Sequence, residues 1–273
     1  MSTHTPDAIL LGLDVGTTNV KAVAIDPSGN QLALASRPQA IAYPRPGWAE
    51  HDPEAVWMLA CEVLRDAIGQ IANSSRIVGI AVTSMGEAGV TLDRDGQPTG
   101  PLIAWFDRRT GQQVARFSAQ VDDRRLHAIT GSPMQPILTA AKLMWLQDND
   151  PDAWNRTERF LNVSAWIAHR LGADPAQDMS LASRTGLFEL STRRWHPDLL
   201  AAANLRENHF GSLSEGGTRI GSVSRFGSEA TGLPIGAAIG MAGHDHVVGA
   251  FAAGAIGRGD AADSIGTAEG LLV

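Results

Sequence analysis

Residues 9 to 25 carry two apolar runs, Ile9-Leu-Leu-Gly-Leu13 and Val20-Lys-Ala-Val-Ala-Ile25, on either side of a turn built from Asp14, Gly16, Thr17 and Thr18. Short apolar runs bounded by turn residues read as strands. A third run, residues 31–36, follows the turn signal Pro27-Ser-Gly-Asn30. An antiparallel meander at the head of the chain constrains what comes next, because one face of it needs cover. The cover is predicted directly downstream. A Pro-rich loop over 42–52 leads to Pro53-Glu54, which opens a helix expected to reach about residue 72, with Val56, Leu59, Ala60, Val63, Leu64 and Ile68 on a helical period.

Residues 77–83 and 89–92 read as further strands, with a turn at Asp93-Arg-Asp-Gly96. Beyond Trp105 the pattern turns mostly helical, over about 108–120, 138–147, 151–154 and 165–171. A helix near 197–203 precedes a Gly/Ser-rich connection, and 233–253 reads as a strand running into a Gly/Ala-rich helix. Meander, helix, strand, helices, strand, helix is the order of an α/β fold of the ribonuclease H-like or actin-like type with helical insertions. The last residues, Asp263-Ser-Ile-Gly-Thr-Ala-Glu-Gly-Leu-Leu-Val273, repeat the opening grammar of strand, Gly-Thr turn and return strand. They are expected to be the first hairpin of a second such domain. The boundary falls in Gly254-Ala-Ile-Gly-Arg-Gly259, so residues 8–254 form one domain and 255–273 a hinge with the truncated start of another.

With 273 residues and a net charge of -7, the chain can bury a large core but would be repelled by nucleic acid or an anionic membrane. A small-molecule partner fits better; a homodimer stays open. Cys61 is alone, which excludes an intrachain disulfide and fits a reducing cytoplasm, with the thiol as a small buried hydrophobe on a helix. The apolar stretch 234–256 is interrupted by His244-Asp245-His246 and by glycines, unlike a membrane span. The first ten residues have no secretory signal pattern.

Three segments carry chemistry. In Asp14-Val-Gly-Thr-Thr-Asn-Val-Lys21, backbone N–H groups and two hydroxyls can converge on phosphate oxygens while a carboxylate orients a hydrated divalent cation. A plain hairpin turn explains the same residues. Asp245, at the predicted strand-to-helix junction, can accept a proton from a hydroxyl attacking phosphorus, and can equally cap the helix. His244 and His246 alternate along a strand, so one at most faces the same side, and no third ligand is placed by spacing. In Thr83-Ser-Met-Gly-Glu-Ala-Gly89, Glu87 can accept hydrogen bonds from a polyol. Trp105-Phe-Asp-Arg-Arg-Thr110 offers an aromatic face for sugar C–H groups and a polar cluster, or a core Trp beside a solvated charge run.

Together these segments resemble the FGGY carbohydrate kinases, the family of glycerol, xylulose, ribulose, gluconate and fuculose kinases. The resemblance also rests on Pro46-Gly-Trp-Ala-Glu-His-Asp-Pro53, Lys142-Leu-Met-Trp-Leu146, Ser183-Arg-Thr-Gly-Leu-Phe188 and Gly243-His-Asp-His246. It implies two actin-like domains, with sugar bound mostly by the first and ATP between them. It implies Asp245 as catalytic base, Glu87, Trp105, Asp245 and His246 as substrate contacts, and Asp14 as the Mg²⁺-associated carboxylate. Thr17, Thr18 and Lys21 match the first phosphate loop, and Gly266 and Thr267 the second. ATP and Mg²⁺ are the implied cofactors.

Departures from the family narrow the substrate. Gly86-Glu87 replaces the Arg-Glu of glycerol kinases, and Ile137 stands where they carry a polyol-contacting Tyr. The Met-His-Gly signature of bacterial xylulose kinases is absent, since Met85 is followed by Gly86. Loss of an Arg side chain makes room for a longer substrate, a ketopentose or deoxyketohexose of the xylulose, ribulose or fuculose kind. Relatives are about twice this length, so the chain alone is expected to be a sugar-binding module with little or no kinase activity. A filament-forming ATPase of the actin type fits poorly, because such a protein has no use for a polyol-binding set.

Overall fold

The computed structural model describes residues 7–265 and 269–272. The meander forms as expected: β1 (Ile9–Val15), β2 (Asn19–Ile25) and β3 (Gln31–Pro38) pair antiparallel in turn. After α1 (Pro53–Ile68), β4 (Ile77–Ser84) returns parallel to β1. The expected strand β5 (Gly89–Leu92) leaves this sheet and pairs with β6 (Arg159–Asn162). Two later strands complete the main sheet: β7 (Arg219–Ser222) at its edge and β8 (Ala238–His244), which is parallel to β4. The six-stranded order is β7-β8-β4-β1-β2-β3. A meander continued by two parallel strands beyond β1 is the ribonuclease H-like arrangement.

Period-2 burial sets the faces. In β1 the side chains of Ile9, Leu11, Leu13 and Val15 are buried, whereas Leu10, on the other face, is 48% exposed. The Asp52 carboxylate accepts the Ala55 N–H at 3.1 Å and Pro53 occupies the first turn, so α1 starts where its caps dictate. It buries Val56, Trp57, Ala60, Cys61, Val63, Leu64 and Ala67 against β2 and β3. Burial pushes the Cys61 thiol up to about 11, as suits an inert core residue.

α1 stops at Gly69, short of residue 72, and the next residue is used elsewhere. The Gln70 carboxamide accepts the Leu34 N–H at 3.3 Å and donates to the Leu34 carbonyl at 3.0 Å, on the outer edge of β3.

The helical insertions include α2 (Gly111–Ser118), α3 (Asp123–Thr130) and α4 (Thr139–Asn149). They enclose a second core of Phe117, Leu126, Leu138 and Leu143, to which Trp195 and Phe210 contribute stacked rings 4.4 Å apart. α5 (Val163–Leu171) returns to the first core and packs on β4 and β8. The sequence reading missed α3, whose polar face dominates. Its frame is nonetheless local: Asp122 accepts the Arg124 and Arg125 N–H groups, and Gly131 ends it at φ 75°. It also missed β7 and α6 (Arg225–Thr231), which fill part of the supposed Gly/Ser-rich connection. β8 starts at Ala238 because Pro234 and Gly236, the latter at φ 85°, form a turn first. α7 (Asp245–Ala252) then leads to an antiparallel hairpin of β9 (Ala262–Ile265) and β10 (Glu269–Leu272). Gly266 and Thr267 lie outside the described residues. No helix among the described residues is long and apolar enough to cross a membrane.

Candidate active site

β8, β4 and β1 are parallel neighbours, so their C-terminal ends open on the same side of the sheet. That edge is where open α/β sheets collect ligands. Asp14 sits near the end of β1, paired across the ladder with Lys21. Burial, reinforced by the charge of Asp245 and opposed by Lys21, pushes its carboxyl up from 3.8 to about 6. Its Oδ1 is buried without a hydrogen-bond partner among the described residues. A desolvated carboxylate with a free lone pair, within the field of a second carboxylate, suits a hard divalent cation.

The turn after Asp14 closes through a 3.1 Å hydrogen bond from Gly16 N–H to the Asn19 carbonyl. A Cβ at Gly16 would come 3.2 Å from that carbonyl and 3.9 Å from both Asp14 carboxylate oxygens. The turn therefore runs close over the carboxylate. Thr17 is engaged on its inner side: the Trp105 indole N–H donates to its hydroxyl at 2.9 Å, and the hydroxyl reaches the Met85 sulfur at 3.7 Å. Thr18 and Lys21 are exposed. The turn residue Thr17 and Trp105 are thus mechanically joined.

Asp245 is delivered by the junction of β8 and α7. Gly243 has φ 112°, and a Cβ there would fall 2.8 Å from Asp178 Oδ1 and Ser180 Oγ. Ser180 Oγ accepts the His244 N–H at 2.9 Å, and the Thr83 hydroxyl donates to the Gly243 carbonyl at 2.7 Å. The helix cap differs from expectation. His244 is the N-cap residue and Asp245 the first residue of α7, so its carboxylate, 31% exposed, accepts, among the described residues, the adjacent His246 N–H at 2.7 Å and no further backbone N–H. The carboxylate also lies in the favourable first turn of the helix dipole.

The expected alternation of the two histidines fails at the same junction, because the backbone changes from strand to helix between them. Their rings lie 5.3 Å apart. His244 Nε2 is 3.3 Å from Asp245 Oδ1, and burial holds the imidazole below its usual pKa in spite of nearby carboxylates. His246 turns toward the C-terminal hairpin, where a Cβ on Gly270 would meet its Nδ1 at 3.2 Å.

Glu87 is buried, 7% exposed, and adopts φ 53°, a left-handed conformation rare for a residue with a side chain. Its carbonyl accepts hydrogen bonds from Lys142 Nζ at 2.8 Å and Thr139 Oγ1 at 3.3 Å. Its carboxylate accepts Arg184 Nε at 2.6 Å, with a second guanidinium nitrogen on the same oxygen. Arg184 and Lys142 were not singled out from sequence, although both stand inside the quoted motifs, and His244 was weighed there only as a metal ligand. Gly86 does not open the expected space. A Cβ at that position would collide with His244 Nε2 at 2.6 Å, so the imidazole fills the space that a missing Arg was expected to free.

The polar cluster after Trp105 is a clasp whose charged groups answer one another. Arg109, its side chain 1% exposed, donates to Asp107 at 2.8 and 2.9 Å and to Glu50 at 2.6 Å. Asp107 is fully buried and also accepts the Ala49 N–H at 2.6 Å. The Arg109 guanidinium lies 3.9 Å from the Trp48 ring centroid, and Trp145 meets that ring edge-on at 5.2 Å.

Residues 9–252 match the FGGY family of carbohydrate kinases, N-terminal domain. L-fuculokinase of Escherichia coli (strain K12) is 32% identical over 267 residues, covering 97% of this chain and 56% of that protein. Glycerol kinase of Citrifermentans bemidjiense is 36% identical over 269 residues, covering 94% of this chain and 53% of that protein. Among solved structures, xylulose kinase from Rhodospirillum rubrum superposes with a TM-score of 0.91 at 31% identity, over 96% of this chain and 54% of that one. The chain spans about half the length of the curated relatives it matches.

Proposed function

The chain belongs to the FGGY family of carbohydrate kinases, and on that premise we propose that it is the sugar-binding part of an ATP-dependent kinase for a ketopentose or deoxyketohexose. One observation carries the proposal: Asp14 and Asp245, from two different strand ends, lie close enough for the charge of one to raise the carboxyl of the other, with Trp105 tied to the turn after Asp14. A buried carboxylate kept beside a second negative charge is costly in a fold that does not use it.

In the proposed reaction the sugar lies along the Trp105 ring and donates hydroxyl groups to Glu87. Asp245 accepts the proton of the reacting hydroxyl as its oxygen attacks the γ-phosphorus of ATP; the bond from that phosphorus to the bridging oxygen breaks and ADP leaves. His244 holds the Asp245 carboxylate from one side. The N–H groups and hydroxyls around Gly16, Thr17 and Thr18 face phosphate, with Lys21 nearby. Asp14 would hold Mg²⁺, which supplies charge neutralisation on the phosphates when bound. The ketose preference is supported by the imidazole at Gly86, which offers a hydrogen-bonding ring where glycerol kinases place Arg, and by the likeness to L-fuculokinase and xylulose kinase.

Titration calorimetry with D-xylulose, D-ribulose, L-fuculose and glycerol tests the substrate class; the ketoses are expected to bind and glycerol is not. In a full-length version of the kinase, replacing Asp245 by Asn is expected to slow phosphoryl transfer about 10²–10⁴-fold while sugar affinity stays within about tenfold. Equal losses in both would sink the assignment of Asp245 as the base.

A further inference from the structure

Lys142 has an environment that the proposed chemistry does not explain. It projects from α4, is 5% exposed, and forms no salt bridge among the described residues. Its ammonium donates instead to two backbone carbonyls, of Glu87 at 2.8 Å and of Trp105 at 3.4 Å. These residues approach the site from separate segments, one after β4 and one before the clasp. Thr139, one turn earlier on the same helix face, donates to the Glu87 carbonyl as well.

A charged amine in the protein interior is expensive when only carbonyl dipoles answer it. Burial pulls Lys142 down to about 7; Glu87 and Asp107 pull it back up, and Arg109 pushes it down. Apolar packing by α4 is already supplied by Leu143, Met144 and Leu146, so filling space does not require a cation at 142. What the ammonium does supply is a rigid link. It fixes the left-handed Glu87 peptide and the Trp105 peptide to one atom, and so sets the gap between a carboxylate and an indole. We propose that Lys142 is a positioning residue for sugar binding, holding Glu87 and Trp105 at the spacing at which both contact one sugar. This rests on the sugar-kinase reading for the identity of the ligand, though the link itself does not.

Charge matters to the link, since a charged donor holds a carbonyl about twice as strongly as a neutral one. The charged groups facing it are Glu87 after β4, and Asp107 and Arg109 from the clasp; Arg184 acts on it through Glu87. Ketose affinity is therefore expected to weaken as pH rises from 6 to 8.5.

The test uses the whole chain and the near-isosteric Lys142→Met, with Lys142→Gln as a second variant that keeps a neutral donor. Without any sugar, amide hydrogen exchange over residues 85–88 and 104–106 is expected to quicken at least tenfold in Lys142→Met, while its melting temperature equals or exceeds that of the wild type. Unchanged exchange in a folded variant overturns the proposal. Calorimetry with D-xylulose and L-fuculose is expected to show affinity at least tenfold weaker in Lys142→Met, intermediate in Lys142→Gln, and flat with pH in both. Affinity within twofold of wild type also overturns it. If the wild type binds neither ketose, the sugar-kinase reading fails, and the exchange result alone decides the role of Lys142. Should Lys142→Met fail to fold, Lys142→Gln carries both readings with the same criteria.

Discussion

Two clusters of charge and tryptophan meet at the segment from Trp105 to Thr110 and have opposite characters. In the clasp, Arg109, Asp107, Glu50 and the Ala49 N–H satisfy one another, with Trp48 and Trp145 against the guanidinium. At the strand ends, Asp14 keeps a buried oxygen without a partner among the described residues, and Asp245 spends its carboxylate only on a neighbouring N–H and an imidazole. Both regions are rich in the residue types that bind polyols and phosphates. Composition does not separate them; the hydrogen-bond account does. A cluster whose capacity is exhausted internally is holding loops together, and one with capacity left over is available to a ligand.

The sharpest way to break this contrast is Arg109→Met. It strands the fully buried Asp107 carboxylate, and the expected loss is about 3–5 kcal/mol in urea unfolding. Ketose affinity of the folded fraction should hold. A loss below about 1 kcal/mol, or a selective loss of sugar binding, would place the clasp with the site after all.

Asp14→Asn should move stability the other way. Its carboxyl titrates near 6 in the fold against the ordinary aspartate value of 3.8, so the folded state binds the proton more tightly. The favourable contribution of the protonated group is intact below pH 4 and is lost as pH rises through 6. At about 1.4 kcal/mol per pH unit, ionisation costs the fold up to about 3 kcal/mol at neutral pH. The Asn variant is therefore expected to be more stable than wild type at pH 7.5, to lose that gain at pH 4 and, in a full-length version of the kinase, to lose phosphoryl transfer throughout. Paired urea melts at the two pH values measure it. The smallest effect is expected at Arg125, whose ion pair with Asp198 is more than half exposed on both sides. Arg125→Ala should shift stability by no more than about 0.5 kcal/mol, and serves as the reference for both larger changes.

Much of this arrangement was readable from local pattern. The meander, the cap at Asp52-Pro53, and the strand-to-helix passage at Asp245 are fixed by neighbours in sequence. The clasp was not, because whether Asp107 and Arg109 face solvent, a sugar or each other depends on Glu50 and Trp48 arriving from another loop. Arg184 and Lys142 were passed over for a similar reason: each acts on Glu87 across a long sequence separation. The helix α6 was visible in principle through Ser224 and Gly232, which bracket it, but its glycine and serine content reads as a loop. At His244 the error was one of periodicity, since a period of two was carried past the point where the strand ends.

One surface detail bears on assembly. An outermost β-strand normally advertises its free peptide groups to any extended segment that drifts past, including the same strand of another molecule. Here a glutamine side chain already sits in that slot at Leu34, imitating a peptide of the missing neighbour. Two copies of this protein that meet in solution would find that part of the strand spoken for, and any pairing between them is better sought on another face.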